Sequence, residues 1–393
     1  MEKVQNIVTA KNLYADHFKD NIVYVSSSEE IKSYTGDKEF FIGNTTLKKP
    51  EGIERVTLDN NTGLGKMSCI AIQIEVEIEP YANKEISINL GSEDNILDVK
   101  DIAYKYSKIY NCTEELNKVK RFWYELLTKV QVNTPLESMN ILLNRMGSLS
   151  NNSIQTLVKN WISSISAEQS GFRDQLQDTI GLKLIDIEFM KKQILVQARH
   201  QFIEGDVEHW WHEETERGIR TRFSDDLLWL VYLVCEYISY TGDHSILDEE
   251  VPYVQGAELQ EGVDESYDEY RESEIKESIY KHCIRAIEKS LNFGEHGIPK
   301  IGSGDWNDGL NTVGNKGKGE SIWLGFFLYD ILEKWIPIME QYNELASLKQ
   351  GGQEKYRQIA EDLKHALNNE GWDGRWYKRA YNDSGVPIRK YRK

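Results

Sequence analysis

Apolar and polar positions alternate through the first part of the chain and then shift to a longer period. The run 68–78, SCIAIQIEVEI, places an apolar side chain at nearly every second position, the pattern of a half-buried strand. IVYV at 22–25 and EFFI at 39–42 predict further strands, and Asn60, Asn61, Thr62 and Gly63 supply turn chemistry between them. Residues 1–96 therefore read as part of a β-sandwich. Over 98–110 and 114–131 the apolar residues recur at three- and four-residue spacing with Lys and Glu between, which predicts a helical linker over 97–134.

From 135 to 393 the pattern predicts mainly helices, at 135–146, 176–201, 225–240, 274–291, 321–341 and 354–368. The fourth begins near Ser273 and carries Ile275, Ile279, Cys283 and Ile287 as one stripe. The next places Trp323, Phe327, Ile331 and Trp335 on one face. Between the helices run the long polar loops 202–224, 242–272 and 293–320. Loops of that length on a helical scaffold usually carry function.

Composition narrows the class. With 40% hydrophobic and 28% charged residues the chain is of ordinary globular type. No stretch approaches the roughly eighteen apolar residues of a membrane helix, and MEKVQNIVTAKNLYADHFKD lacks the apolar core of a secretion signal. Cys69, Cys112, Cys235 and Cys283 stand apart, without CxxC spacing, as reduced thiols do in a cytoplasmic protein. The net charge of −17 argues against nucleic acid or an anionic membrane as partner. Among ten Trp, the positions 210–211, 306, 323, 372 and 376 suit a sugar cleft, because aromatic faces stack on the C–H faces of pyranoses. Core packing is the commoner fate of any single one.

Three segments carry candidate chemistry. HGIPKIGSGDWNDGLNTVG, 296–314, holds Asp305, Trp306, Asn307 and Asp308 among glycines. A carboxyl partly desolvated by an indole keeps its proton near neutral pH, which a general acid on a glycosidic oxygen requires. A purely structural or Ca²⁺-like turn is the alternative. In GFRDQLQD, 171–178, the adjacent Arg173 and Asp174 suit two neighbouring hydroxyls, or form a charge pair at a helix start. EGDVEHWWHEETERGIRTRFSDD, 204–226, places His209 and His212 three apart with no compact third ligand, so no metal is expected. There Arg220, Arg222 and Asp226 are expected to tie the loop by ion pairs, and Ser224, Asp225 and Asp226 to start a helix. No P-loop, GxSxG, HExxH or dinucleotide fingerprint is present.

These segments, with LDEEVPYVQG, GIRTRFSDDLLW, GESIWLGFF and GWDGRWYKRAY, cover most of 171–383. In that order they resemble glycoside hydrolase family 94, which contains cellobiose, cellodextrin and chitobiose phosphorylases and the phosphorylase module of cyclic β-1,2-glucan synthases. GFRDQLQD and HWWH are most similar to the branch of the β-1,2-glucan synthases and β-1,2-oligoglucan phosphorylases. The resemblance implies a multidomain α and β chain: a β-sandwich over 1–96, the helical linker over 97–134 and an (α/α)6 barrel over 135–393. It implies inverting phosphorolysis of β-linked glucan, β-1,2-glucooligosaccharide by branch, to α-glucose 1-phosphate. In that scheme Asp308 protonates the leaving oxygen, inorganic phosphate is the co-substrate, and neither cofactor nor metal takes part. Trp306 would line the glucose subsite and Arg173 and Asp174 would bind hydroxyls. Asp305, Asn307, Gln177, Asp178, His209 and Trp210 would complete the substrate side. An inverting hydrolase and a catalytically silent, sugar-binding fragment are the competing readings.

Set against the family pattern, the chain is expected to be incomplete. The helices after 135 supply about half of the twelve in a six-hairpin barrel, and the family's phosphate-holding His and Thr-Gly fall beyond IRKYRK. More sandwich would precede Met1. A partial sandwich, an incomplete barrel, and a second copy or complementing fragment as partner are the corresponding expectations. Residues 147–170, GSLSNNSIQTLVKNWISSISAEQS, depart from the family pattern between matching flanks. A frame-shifted or decayed segment is expected there, with ordinary divergence as the alternative.

Overall fold

The computed structural model describes residues 2–4, 6–13, 19–64, 67–146, 170–213, 215–345 and 352–388. The segment expected to be frame-shifted lies outside the described residues apart from Ser170. The chain divides into two compact units, Met1–Glu125 and Leu126–Lys393.

In the first unit, strands β1 (Glu2–Val4), β2 (Ile7–Lys11), β3 (Ile22–Ser27) and β6 (Ile88–Glu93) form an antiparallel sheet in that order. Ile7, Ile22 and Tyr24 are buried on it against Val99 and Ala103 of helix α2 (Ile96–Tyr106). Tyr24 faces Gly91 across the sheet, where a Cβ would lie 2.6 Å from the Tyr24 hydroxyl oxygen, so glycine makes room for the ring. Strands β4 (Ile31–Asp37) and β5 (Ser68–Ile74) form a second antiparallel pair. Helix α3 (Ile109–Leu127) follows α2.

The expected strand at 39–42 is instead a single helical turn, α1 (Lys38–Ile42). Asp37 Oδ1 accepts the backbone N–H groups of Glu39 and Phe40 at 3.0 and 3.1 Å, and Gly43 ends the turn at φ 65°. A cap at one end and a positive-φ glycine at the other override the β propensity of two phenylalanines, neither of which is fully buried.

The second unit is built on helices. A short helix α4 (Glu137–Ile141) is followed by α5 (Phe172–Thr179), α6 (Ile187–Ala198), α7 (Asp226–Thr241), α8 (Ile279–Ser290), α9 (Ile322–Leu345) and α10 (Gly352–Asn369). Helix α7 is apolar on nearly every side, as a helix surrounded by others must be. Its Leu228, Leu230, Val231, Leu233 and Val234 are 0% exposed, and α5, α6, α8 and α9 all pack on it. Gly242, at φ 70°, closes α7 by donating its N–H to the Ile238 carbonyl. Helix α10 packs on α9.

Two helix expectations change. The predicted helix 176–201 is broken: α5 ends at Thr179, a 3-10 turn covers Ile180–Leu182, and α6 restarts where Asp186 accepts the Phe189 N–H at 3.2 Å. Gly181, a poor helix former, lies at the break. The predicted helix 274–291 starts five residues late, because residues Arg271–Ser278 form strand β12, paired antiparallel with β10 (Glu250–Gln255). Ile279, Cys283 and Ile287 are buried as expected, but Ile275 sits on the strand and is 53% exposed.

The loops expected between helices contain sheet. Strands β7 (Ser170–Gly171), β8 (Glu208–His212), β9 (Arg217–Thr221) and β11 (Glu265–Glu269) make one sheet, in the order β11, β9, β8, β7. Strand β7 runs directly into α5 and so delivers Arg173 beside β8. Strands β13 (Glu320–Ser321), β14 (Ala380–Tyr381) and β15 (Pro387–Ile388) make another, which joins the start of α9 to the segment after α10. No helix among the described residues is long and apolar enough to cross a membrane.

The α8 stripe yields a stability test. Ile279→Ala should cost about 2–5 kcal/mol by urea denaturation, whereas Ile275→Ala should stay within about 0.5 kcal/mol. Equal costs would place Ile275 back in the core.

Candidate active site

The loop between α8 and α9 is held against the connection from β9 to α7. Phe223 forms isolated bridges with Gly302 and Gly304, and Ser224 N donates to the Gly304 carbonyl at 3.0 Å. Gly302 has φ 62°, and a Cβ there would lie 2.1 Å from the Arg222 carbonyl oxygen, so no other residue permits this approach. Asp305 anchors the loop from the other side. Its carboxylate is 0% exposed and accepts both Nη1 and Nη2 of Arg379, at 2.7 and 2.5 Å, and the Ser321 hydroxyl at 2.6 Å. Expected on the substrate side, Asp305 is turned inward with both oxygens engaged.

That anchoring leaves the next three residues outside. Asn307 is exposed and its Oδ1 accepts the Gly309 N–H at 3.0 Å, starting the 3-10 turn Asp308–Leu310. Trp306 is 49% exposed and donates Nε1–H to Gln177 Oε1 at 3.1 Å. Its ring lies 6.5 Å from that of Trp323 at the head of α9. The Asp308 side chain is 59% exposed and accepts Arg173 Nη2–H at 2.9 Å. Burial against the indole, the expected means of retaining its proton, is therefore replaced by exposure and an Arg contact.

Arg173 is the centre of the group. Its side chain is 7% exposed; Nη1 lies 3.5 Å from both Asp225 oxygens, 3.4 Å from the Asp305 carbonyl oxygen and 3.8 Å from Asp226. Burial alone would lower its pKa, but Asp225, Asp226 and Asp308 together raise it above its ordinary value. Asp174 is 74% exposed, 3.6 Å from Arg173 Nε. Gln177 and Asp178 are half-buried on the same helix.

Two acids at the head of α7 complete the cluster. Asp225 accepts Trp229 Nε1–H at 3.0 Å. Asp226 Oδ2 meets His209 Nδ1 at 2.7 Å, and its Oδ1 is buried without a hydrogen bond. Burial first, and then the neighbouring Asp226, push the Asp225 carboxyl up to about 7. His209 stacks flat on Phe223, centroids 4.5 Å apart. Burial lowers its pKa, but the bond to Asp226 and that carboxylate's charge more than reverse this, and the imidazole is raised above its ordinary value.

The structure thus gathers Arg173, Asp308, Gln177, Trp306 and, through Asp226, His209. Trp210 is not among them: on β8 it packs beside His212 and Tyr267, each with centroids 5.5 Å away. His209 and His212 do not converge, and no group of three or more His, Cys, Asp or Glu side chains gathers for a metal among the described residues. The expected ion pairs of the 204–226 loop are partly different. Arg220 pairs with Asp206 and Glu204, Arg222 donates to the carbonyls of Leu259, Gln260 and Val263, and Asp226 serves His209. Sequence reasoning did not single out Arg379, and it read Asp225 only as a helix start. Two acids heading a mostly apolar helix were the available signal, since buried carboxylates need partners.

The raised Asp225 pKa has a sign that can be measured. Its folded value exceeds the unfolded one, so the folded chain holds the additional proton. This group's contribution to stability is present at acid pH and is lost as pH rises from 3.8 through about 7. Asp225→Asn removes that titration. Its stability relative to wild type should therefore improve between about pH 5 and about pH 8, as read by urea denaturation. A gap that stays constant, or widens with pH, would contradict the assignment.

Comparison with known proteins places the chain in a family. The profile described as "Glycosyl hydrolase 94, supersandwich domain" matches residues 1–109, and "Glycosyl hydrolase 94 superfamily, catalytic domain" matches 122–392. The chain is 31% identical over 384 residues to the cyclic beta-(1,2)-glucan synthase NdvB of Rhizobium meliloti (strain 1021), covering 97% of the chain and 13% of that protein. It is 24% identical over 367 residues to the solabiose phosphorylase of Paenibacillus borealis, covering 93% of the chain and 44% of that enzyme. A shorter match, 24% over 175 residues, joins 42% of the chain to 15% of the 1,2-beta-oligoglucan phosphorylase of Listeria innocua serovar 6a. The chain spans less than half the length of each of these relatives. With the two domain profiles matched in order, and the catalytic one covering well over half of the residues, the chain belongs to the glycosyl hydrolase 94 family.

Proposed function

We propose that this chain carries the sugar-donor side of an inverting glycoside phosphorylase centre acting on β-linked glucan, with β-1,2-glucooligosaccharide as the substrate class. The observation that carries the reading is the 2.9 Å bond between Arg173 and Asp308, which joins GFRDQLQD and GSGDWNDG beside an exposed Trp306. The names of the relatives support the reaction class and the linkage. On this reading the helical unit is part of an (α/α)6 barrel.

The chemistry follows from the residues. The Trp306 ring offers a stacking face to a glucosyl unit. Arg173 and the exposed Asp174 offer donors and acceptors to its hydroxyls. A sugar hydroxyl that accepts the Arg173 Nη2–H displaces Asp308 from it, and the exposed Asp308 carboxyl takes from solvent the proton that it delivers. Phosphate oxygen then bonds to the anomeric carbon, the glycosidic C–O bond breaks, and the Asp308 proton goes to the departing oxygen. The configuration inverts, giving α-glucose 1-phosphate and a glucan one unit shorter.

Phosphorolysis is favoured over hydrolysis by the state of the neighbouring acids. An inverting hydrolase needs a second carboxylate with room for a water. Asp225, Asp226 and Asp305 are at most 1% exposed and engaged with Arg173, Trp229, His209 or Arg379, and the exposed Asp174 is assigned to the sugar hydroxyls. Phosphate needs no such base.

The chain incubated with β-1,2-glucooligosaccharide should release α-glucose 1-phosphate only when phosphate is added, measured by a coupled phosphoglucomutase assay. Asp308→Asn should lower that rate by about 10²–10⁴-fold while leaving oligosaccharide binding close to wild type. Free glucose released without phosphate would indicate hydrolysis. An unchanged rate in Asp308→Asn would remove Asp308 as the acid.

A further inference from the structure

A concavity of about 220 Å³ lies between the β9–α7 connection, the C-terminal end of α8 and residues 300–302. Its walls include Arg220, Arg222, Lys289 and Lys300 against two acids, Asp206 and Glu258. In a chain of net charge −17 this is a local excess of positive charge.

Part of that charge is already matched. Arg220 donates to Asp206 through Nε and Nη2, each at 2.7 Å, and to Glu204 at 3.0 Å, which leaves Lys289 3.7 Å from an already paired Asp206. The groups left over are mostly donors. The Lys300 amine makes no hydrogen bond or ion pair with any described residue. Neither does the Asn292 carboxamide, which also lines the cavity. Arg222 uses Nε and Nη2 on backbone carbonyls, and its Nη1 is not among those bonds. The one unmatched carboxylate, Glu258, is exposed, as are Arg222 and Asn292. A small cavity whose unused groups are cations and N–H donors fits a compact, acceptor-rich anion, and Arg and Lys together suit a phosphoryl group.

We propose that this cavity binds a phosphoryl group, as inorganic phosphate or as a hexose monophosphate, at a site separate from the Arg173–Asp308 pair. None of Arg173, Trp306 or Asp308 lines it. Phe223 is the shared wall: it lines the cavity and stacks on His209. The assignment concerns binding and stands apart from the phosphorolysis reading.

Titration calorimetry on the full chain at fixed ionic strength, with inorganic phosphate, α-glucose 1-phosphate and glucose as probes, tests it. Wild type and an Arg173→Gln chain that circular dichroism shows to be folded should bind at least one phosphoryl probe alike, and the doubly substituted Lys289→Gln/Lys300→Gln should bind it about tenfold more weakly or worse. The tighter of the two phosphoryl probes identifies the ligand, and glucose alone should not bind here. Asn292→Asp, nearly isosteric, should weaken binding as well by setting a carboxylate in the wall; it decides the case if the double variant proves unfolded by circular dichroism. The proposal falls if wild type binds neither phosphoryl probe. It falls equally if Lys289→Gln/Lys300→Gln and Asn292→Asp bind as wild type does, or if Arg173→Gln, shown folded by circular dichroism, has lost binding. Loss of phosphorolysis in Asp308→Asn bears only on the other reading.

Discussion

A single buried guanidinium organises the catalytic unit. Burying the Arg173 cation is unfavourable unless carboxylates accompany it, and Asp225, Asp226 and Asp308 do so from two separate segments of chain. The arrangement ties α5 to α7 and to the loop before α9, and it determines what each acid can do. Asp225 and Asp226 are held inside, whereas Asp308 meets the same guanidinium at the surface. Two carboxylates and one imidazole beside one guanidinium leave the interior sensitive to protonation, and the Asp225 carboxyl, pushed up to about 7, registers this.

The rest of the unit serves to present that cluster. Helix α7 is enclosed by other helices, which fixes the position of its first residues, where both acids sit. The glycines before Asp305 let the loop lie against residues 222–224, and Arg379 clamps Asp305 from the segment after α10. With its neighbours pinned, the three residues Trp306, Asn307 and Asp308 project from a rigid base, the condition for holding a reactive group in register with a ligand.

Much of this was legible in the order of residues. The β-to-helix change, α7, α9 and α10 follow from periodicity. The Gly-rich loop and GFRDQLQD were recognisable as candidate chemistry before any geometry. The misreadings have local causes. EFFI became a helical turn because Asp37 caps it, and the Ile275 stripe failed because RESEIKES pairs with β10 as a strand. Short apolar runs satisfy both periods, so the partner strand decides between them.

The sequence by itself determined the family and the change from a β to a helical pattern, because those depend on local pattern and ungapped motifs. Only the tertiary structure decided which acids are buried, that Asp305 faces Arg379 while Asp308 faces Arg173, and that His209 and Trp210, neighbours on β8, serve different surroundings. These outcomes depend on contacts between residues 17 to 135 positions apart. Their energies arise from burial and charge pairing, which exist only once the chain has closed on itself.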